Sequence, residues 1–296
     1  MQETGSGRDD GGPSMLGKAK NFLRQMRSFQ MMNASLARGA AGASARQVNL
    51  ADPRTWEFSG FSQNGEDGII DVLSRQIIRP NRYFVEVGAS DGLENNTAWL
   101  AMVRRFSGIW VEGDPDSARW CEFFFRRQNY GLEFLPLFVT RENTKAIAEK
   151  MIWPDPDVFS LDVDGNDYHF VESFLKVGIR PKIWVVEYNS AFGPDRSVTI
   201  PYSPTFSVAS ESASGLYYGC SVSGWRSLFA RHGYRFVTVE QNGVNAFFVD
   251  PHCFEAGFLD SIEGLRFAEN FSQLRQHGRW EMQFKAIEGK PLEEIS

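Results

Sequence analysis

A chain of 296 residues is long enough to bury a full α/β core with material to spare at both ends. Its formal charge of −6 excludes a general affinity for phosphate backbones, so no nucleic-acid partner is expected. The three cysteines, Cys121, Cys220 and Cys253, make no closed disulfide set and lack metal-type spacing, which predicts a reducing, cytoplasmic setting.

The chain starts with "TGSGRDDGGPS", a Gly/Ser-rich stretch that predicts disorder. No apolar run approaches the ~18 residues needed to span a bilayer. None follows the N-terminal basic residues either, so no signal peptide is expected. From Gly11 to Ala51 there is no acidic residue, while Lys18, Lys20, Arg24, Arg27, Arg38 and Arg46 are present. Phe22, Met26 and Phe29 recur there at helical spacing. Two readings stand: a peripheral membrane or partner-binding helix, and a solvated extension packed loosely on the domain. "AAGASA" (40–45) reads as a linker. Residues 1–50 are therefore expected to be a flexible basic extension.

From Trp56 the pattern is regular. The spacing predicts a helix over Glu66–Ile78, then alternating elements: strand Tyr83–Ala89, helix Glu94–Arg105, strand Gly108–Gly113, helix Pro115–Gln128, strand Leu132–Val139, helix Arg141–Trp153, strand Val158–Val163, helix Asp167–Val177 and strand Lys182–Tyr188. A long irregular stretch runs to about Tyr218. A helix over Ser221–His232 follows, and then strands Arg235–Glu240 and Asn245–Asp250 around the hairpin signal "QNG". Five βα units with near-continuous apolar strands imply a parallel sheet covered on both faces, and the closing hairpin makes the last strand antiparallel. This is the Rossmann-like layout of class I methyltransferases. The catalytic domain is expected over 56–252, with a partly helical extension over 253–296.

In open α/β sheets ligands sit at the carboxyl ends of strands where the order reverses, which directs attention to "FVEVGASDG". Gly88 and Gly92 permit close approach there, and Ala89 and Ser90 keep the turn open. A nicotinamide cofactor wants G-x-G-x-x-G. Here Asp91 sits inside the turn and Glu86 precedes it, which suits a cationic or zwitterionic ligand better than a pyrophosphate. The next strand ends "GIWVEGDP", placing Glu112, with Asp114 beside it, where a carboxylate accepts hydrogen bonds from ribose hydroxyls. Glu86, the Gly88–Gly92 turn and Glu112 together resemble an S-adenosylmethionine-binding signature. A glycine turn needed only for packing is the plain alternative.

"SQNGEDGIIDVL", "FVEVGASDG", "GIWVEGDP", "FSLDVDGNDYHF" and "GVNAFFV" occur in that order. In this the chain, from Phe61 to Asp250, resembles the FkbM-type methyltransferases. The resemblance implies S-adenosylmethionine-dependent O-methylation of a sugar, glycoconjugate or other small hydroxylated metabolite. Asp164 stands where the family more commonly has Glu, keeping the charge and shortening the reach. The segment before the first strand borders the cofactor's methionine end in such folds, which makes Gln63 and Glu66 candidate contacts. The competing reading has Ser62 capping the following helix.

Strand alternation sets Asp162 with Asp164, and Glu187 with Asn189, at neighbouring strand tips. Two chemistries use such oxygens. Asp162, Glu187 and Asn189 are candidate Mg²⁺ ligands, because a hard cation prefers oxygen. Alternatively Asp162, Asp164 or His169 acts as general base. Asn166 or Asp167 suits the cap of the next helix. "SAFGPDRSVTIPYSPTF" is too long for an ordinary connection. It reads as a substrate lid offering Arg196, Tyr202 and Phe206, or as a structural insertion against Tyr217 and Tyr218. Two other functions stay open: a nicotinamide-dependent oxidoreductase, and a non-catalytic scaffold that holds a partner through the basic N-terminal arm.

Overall fold

The computed structural model describes residues 15–296, with side chains from Phe22 onward. The stretch expected to be disordered lies outside the described residues. In chain order the elements that matter here are α1 (Met15–Ala45), α2 (Glu66–Arg75), β1 (Tyr83–Val87), α3 (Ala98–Met102), β2 (Ser107–Glu112), α4 (Pro115–Phe125), β3 (Leu132–Pro136), α5 (Thr144–Ala148), β4 (Val158–Leu161) and α6 (Asp167–Lys176). Then come β5 (Ile183–Glu187), β6 (Val198–Thr199), α7 (Val208–Glu211), α8 (Val222–Arg231), β7 (Arg235–Val239), β8 (Asn245–Val249), α9 (Ala256–Ser261), α10 (Phe271–His277), α11 (Trp280–Ile287) and β9 (Glu293–Glu294).

The main sheet has the order β3-β2-β1-β4-β5-β8-β7. β1 to β5 pair in parallel, and β8 runs antiparallel to both β5 and β7. This is the class I methyltransferase arrangement expected above. The order reverses between β1 and β4, so their carboxyl ends adjoin. Gly88 makes that approach: its φ is +88°, and an added Cβ would lie 1.7 Å from the Asp162 carbonyl oxygen. Alternate side chains feed two cores. Phe84 and Trp110 pack under α2, α3 and α4, while Val85, Val87, Phe159 and Trp184 pack under α5, α6 and α8.

Two expectations about the ends change. "AAGASA" is not a linker, because α1 runs through it to Ala45. Its small residues permit contact rather than flexibility. A Cβ on Gly39 would sit 2.5 Å from the Trp99 ring, and one on Gly42 3.0 Å from Phe58 Cβ. Arg38 donates to the Gly60 carbonyl (2.5 Å), and Arg46 to the Trp56 carbonyl (2.7 Å) and to Asp71 (2.5 Å). The second half of α1 is thus tied to the body. At the other end, β9 pairs with β6, and Ile287 of α11 joins a third core with Phe192, Ile200 and Tyr217. The long segment after β5 is clamped by the C-terminal chain. Among the described residues, no helix is long and apolar enough to cross a membrane.

Candidate active site

Contiguous cavities follow the carboxyl ends of β2, β1, β4 and β5. One, of about 370 Å³, lies between Gly88, Ser90, Glu112, Phe138 and Asp162. A second, of about 430 Å³, runs from Gln63 and Gly88 past Asp162 and Glu187 to Asn242 and Phe271. A small pocket of about 90 Å³ opens beside Glu66 and Asn245, and a wider one of about 670 Å³ beyond Asp164 and Phe206. Glu66, Glu86, Glu94, Glu112, Asp114, Asp162, Asp164 and Glu187 line these spaces, and no lysine or arginine does among the described residues.

Glu112 ends β2 with its carboxylate between two backbone donors, Ser90 N–H (2.6 Å) and Asp114 N–H (2.7 Å). Ser90 reaches it from a left-handed conformation, φ +51°, that a non-glycine residue adopts at a cost. Asp114 lies on the rim and caps α4 through Ser117 N–H (2.8 Å), which holds its carboxyl below the usual range. Leu137, Phe138 and Val139 form an apolar wall nearby. The cavity pairs a hydrogen-bonding carboxylate with a flat apolar surface.

The first turn is shaped by carboxylates that are already occupied. Glu86 accepts from Asn96 N–H (2.8 Å) on one oxygen and from Thr97 N–H (3.0 Å) and the Thr97 hydroxyl on the other, so it closes the start of α3 while lining the small pocket. Burial pushes its pKa up to about 7. Asp91 accepts from Leu93 N–H (3.1 Å) in a local turn and does not line the cavities described. Gly92, at φ +79°, is wedged against Phe125 and Cys121, and its role is packing. Gly88 and Ser90 do line the cleft.

From the segment before β1, Gln63 reaches the rim and donates to Glu94 (3.1 Å). Glu66 is buried, accepting from Asn64 N–H (2.7 Å) and Asn245 Nδ2 (2.8 Å). α2 begins after Gly65, at φ +103°. Ser62 accepts from Asp67 N–H (2.9 Å), while Asp67 accepts from the N–H groups of Gly60, Phe61 and Ser62. Ser62 thus caps the start of this helix, while Gln63 and Glu66 lie along the cleft.

At the centre, one oxygen each of Asp162, Asp167 and Glu187 lies within 4.8 Å of the others. Asp167 is held by Val163 N–H (2.8 Å) and Gly165 N–H (2.7 Å), and burial first pushes its pKa up to about 6. Burial, and then the neighbouring carboxylates, drive Asp162 and Glu187 well above the carboxylate range. Glu187 Oε2 is buried with no hydrogen-bond partner. Three crowded carboxyls with an orphaned oxygen suit a hard divalent cation, or a shared proton in its place.

Other expectations about this region fail for identifiable reasons. β4 stops at Leu161 and Asp164 turns left-handed (φ +54°), so strand alternation no longer relates it to Asp162; it lies on the cavity rim. Asn189 does not line the cavities described. Its Oδ1 accepts from Ala191 N–H (3.0 Å), and its Nδ2 donates to the carbonyls of Leu216 (2.8 Å) and Tyr218 (2.9 Å), pinning the loop. His169 also lies off the cavities described. Its Nδ1 accepts from Arg141, its Nε2 donates to the Ile200 carbonyl (2.8 Å), and burial lowers its pKa. His169→Ala should leave cofactor binding within about twofold while costing ~1–2 kcal/mol of stability, read by titration and thermal melting.

Of the three lid residues, only Phe206 lines the cleft. The Arg196 guanidinium lies over Phe284 (3.7 Å), and Tyr202 packs on His169 beneath Arg141. Sequence reasoning missed Phe138, Asn242 of the hairpin turn, and Asn270, Phe271 and Ser272 at the start of α10. The "QNG" turn was a usable signal for Asn242. Nothing local marked the residues of α10.

No family model matches the sequence, and no curated protein matches it. Solved structures do. An O-methyltransferase from Bacillus cereus in complex with SAH aligns at 16% identity over 74% of this chain and 89% of that one, TM-score 0.42. TomG, an O-methyltransferase from Streptomyces achromogenes involved in tomaymycin synthesis, in complex with SAM, aligns at 14% identity over 71% and 93%, TM-score 0.42. A putative O-methyltransferase from Klebsiella pneumoniae aligns at 14% over 74% and 87%, TM-score 0.42. At these scores the fold rests on the strand order, and the chemistry on the cleft's own atoms.

Proposed function

We propose that this chain is an S-adenosylmethionine-dependent O-methyltransferase acting on a small hydroxylated acceptor. The observation that carries the reading is the cleft at the β1/β4 switch point, lined by carboxylates and, among the described residues, by no cation. A dinucleotide brings phosphates, which such a lining repels. S-adenosylmethionine brings a sulfonium and an ammonium, which it attracts. The donor set fits: Glu112 for the ribose hydroxyls, Phe138 and its neighbours for the base, and the Gln63–Glu66 side for the amino-acid end.

Bound there, S-adenosylmethionine supplies an electrophilic methyl group. The chain's own residues position the acceptor and take its proton. Asp162 stands where the cavities meet, within reach of an acceptor hydroxyl, and burial raises its pKa above that of an ordinary carboxyl, the direction a general base needs. Asp162, Glu187 and Asp167 are the residues that would hold Mg²⁺. A bound divalent ion lowers the pKa of a coordinated hydroxyl. We take the acceptor to be a sugar or glycoconjugate, because Asn242, Asn270, Ser272 and the exposed Phe271 ring line the same cavity as Asp162 and Glu187. The cysteine pattern is our ground for a cytoplasmic setting.

Calorimetric titration with S-adenosylhomocysteine, with NADH in parallel, tests this. Micromolar binding of the first alone supports it. Binding of NADH alone revives the oxidoreductase, and binding of neither leaves the scaffold reading.

A further inference from the structure

The two halves of α1 are built differently. Met32, Ser35, Gly39 and the Arg38 and Arg46 anchors tie the second half to the body. In the first half, Phe22, Leu23, Met26 and Phe29 are 60, 66, 45 and 45% exposed. At about 100° per residue these four fall within an arc of about 120°, so they form one ridge rather than scattered contacts. α4 extends it. Phe123 is 53% exposed, and Phe29 meets Phe124 edge-on at 5.3 Å.

Positive charge borders the ridge. Among the described residues Arg24 and Arg27 pair with no carboxylate; Arg24 lies over the Trp120 ring at 4.5 Å instead. Asp116 and Glu122 of α4 are matched by Arg119 and Arg126. Lys18 and Lys20 precede in sequence, and residues 11–51 hold no acid although the whole chain carries −6. Arg24, Gln25, Asp116, Arg119, Trp120 and Phe123 line a surface cavity of about 360 Å³ in which Arg119 offsets Asp116 and Arg24 adds a positive charge. An exposed apolar ridge flanked by unmatched cations suits an interfacial helix on an anionic bilayer.

The location adds a consequence. Arg24 meets the first turns of α4, which begins at the carboxyl tip of β2 beside Asp114 on the cleft rim. The ridge thus starts near the end of the sheet where the cleft opens and runs along α4 away from it, to Phe29 beside Phe124. We propose that the first half of α1, with the outer face of α4, docks on an anionic membrane surface and so keeps the cleft rim at Asp114 close beside it. This goes beyond the catalytic reading and does not depend on it.

The test is co-sedimentation of the full chain with vesicles of phosphatidylcholine alone and of phosphatidylcholine with phosphatidylglycerol. Binding is expected to the mixed vesicles only, and to weaken with added salt. Phe22→Ser, Leu23→Ser and Met26→Ser together, or Arg24→Glu with Arg27→Glu, should each reduce it by about tenfold or more. S-adenosylhomocysteine binding should be unchanged in both variants, which shows that they remain folded. No sedimentation, equal sedimentation with both vesicle types, or sedimentation unaffected by the substitutions overturns the proposal. So does a dimer in solution that the triple serine variant dissociates, because the ridge would then be an interface between copies. If the parent protein binds vesicles but not S-adenosylhomocysteine, the catalytic reading falls and this one stands.

Discussion

Glu112→Gln is expected to weaken S-adenosylhomocysteine binding by about 30- to 150-fold, measured by calorimetry on protein whose melting temperature is little changed. The carboxylate already accepts from Ser90 and Asp114 N–H groups, so its position is fixed before any ligand arrives. Each oxygen retains a lone pair for a ribose hydroxyl. Hydrogen bonds to a charged acceptor contribute about 1.5–3 kcal/mol each. The amide keeps one acceptor oxygen and turns the other position into a donor, for a net loss of about 2–3 kcal/mol. Unchanged affinity in the folded variant would mean that Glu112 only braces the turn and that the cofactor lies elsewhere. Exposed Glu122, paired on the outside of α4, provides the control, and Glu122→Gln should leave binding alone.

The second large effect couples metal, pH and stability. Asp167 is raised to about 6, Glu57, Asp67 and Glu86 to about 7, and Glu240 to about 8, each chiefly by burial. Asp162 and Glu187 lie higher than ordinary carboxyls for the same reason. These groups hold protons in the folded chain that an unfolded chain releases near pH 4. Their stabilising contribution is therefore complete below pH 4 and is lost as pH rises to about 8. Each such proton is worth about 1.4 kcal/mol per pH unit. Asp71 acts in the opposite sense. Burial raises it, yet Arg75, Arg104 and Arg46 hold it below the usual range, so it destabilises in strong acid. The metal-free protein should melt highest in mild acid and progressively lower toward pH 8.

A divalent cation binds only the ionised cluster, so its effect must grow along the same axis. Saturating Mg²⁺ or Mn²⁺ should raise the melting temperature by about 5 °C or more at pH 8, about what ~2–3 kcal/mol of ligand stabilisation gives, and hardly at all at pH 5. Glu187→Gln should abolish the shift and flatten the pH dependence by removing one crowded carboxyl. A shift equal at both pH values, or preserved in the variant, would place the ion elsewhere. No shift at all would leave Asp162 and Glu187 as a proton-sharing pair.

The amino-acid sequence by itself determined the sheet. Near-continuous apolar strands, helical spacing between them and "QNG" before β8 were enough to order five βα units and close them with a hairpin, because those signals are local. They also carried the eye to Gly88, Ser90 and Glu112, which follow strands directly. Tertiary structure decided which polar side chains were already taken. Glu86 turned out to close α3, Asn189 to pin a loop some thirty residues away, and His169 to bridge Arg141 and Ile200. Each of these partners is distant in sequence or set by a turn, and a hydrogen bond across such a distance leaves no periodic trace. The small residues of "AAGASA" show the same ambiguity from the packing side. Glycine and alanine permit flexibility and close helix contact equally, and only Trp99 and Phe58 pressing on Gly39 and Gly42 decide between them. Asn270, Phe271 and Ser272 reach the cleft because Phe271 N–H donates to the Asn242 carbonyl (2.9 Å) and β9 pairs with β6, contacts that the chain makes only once folded.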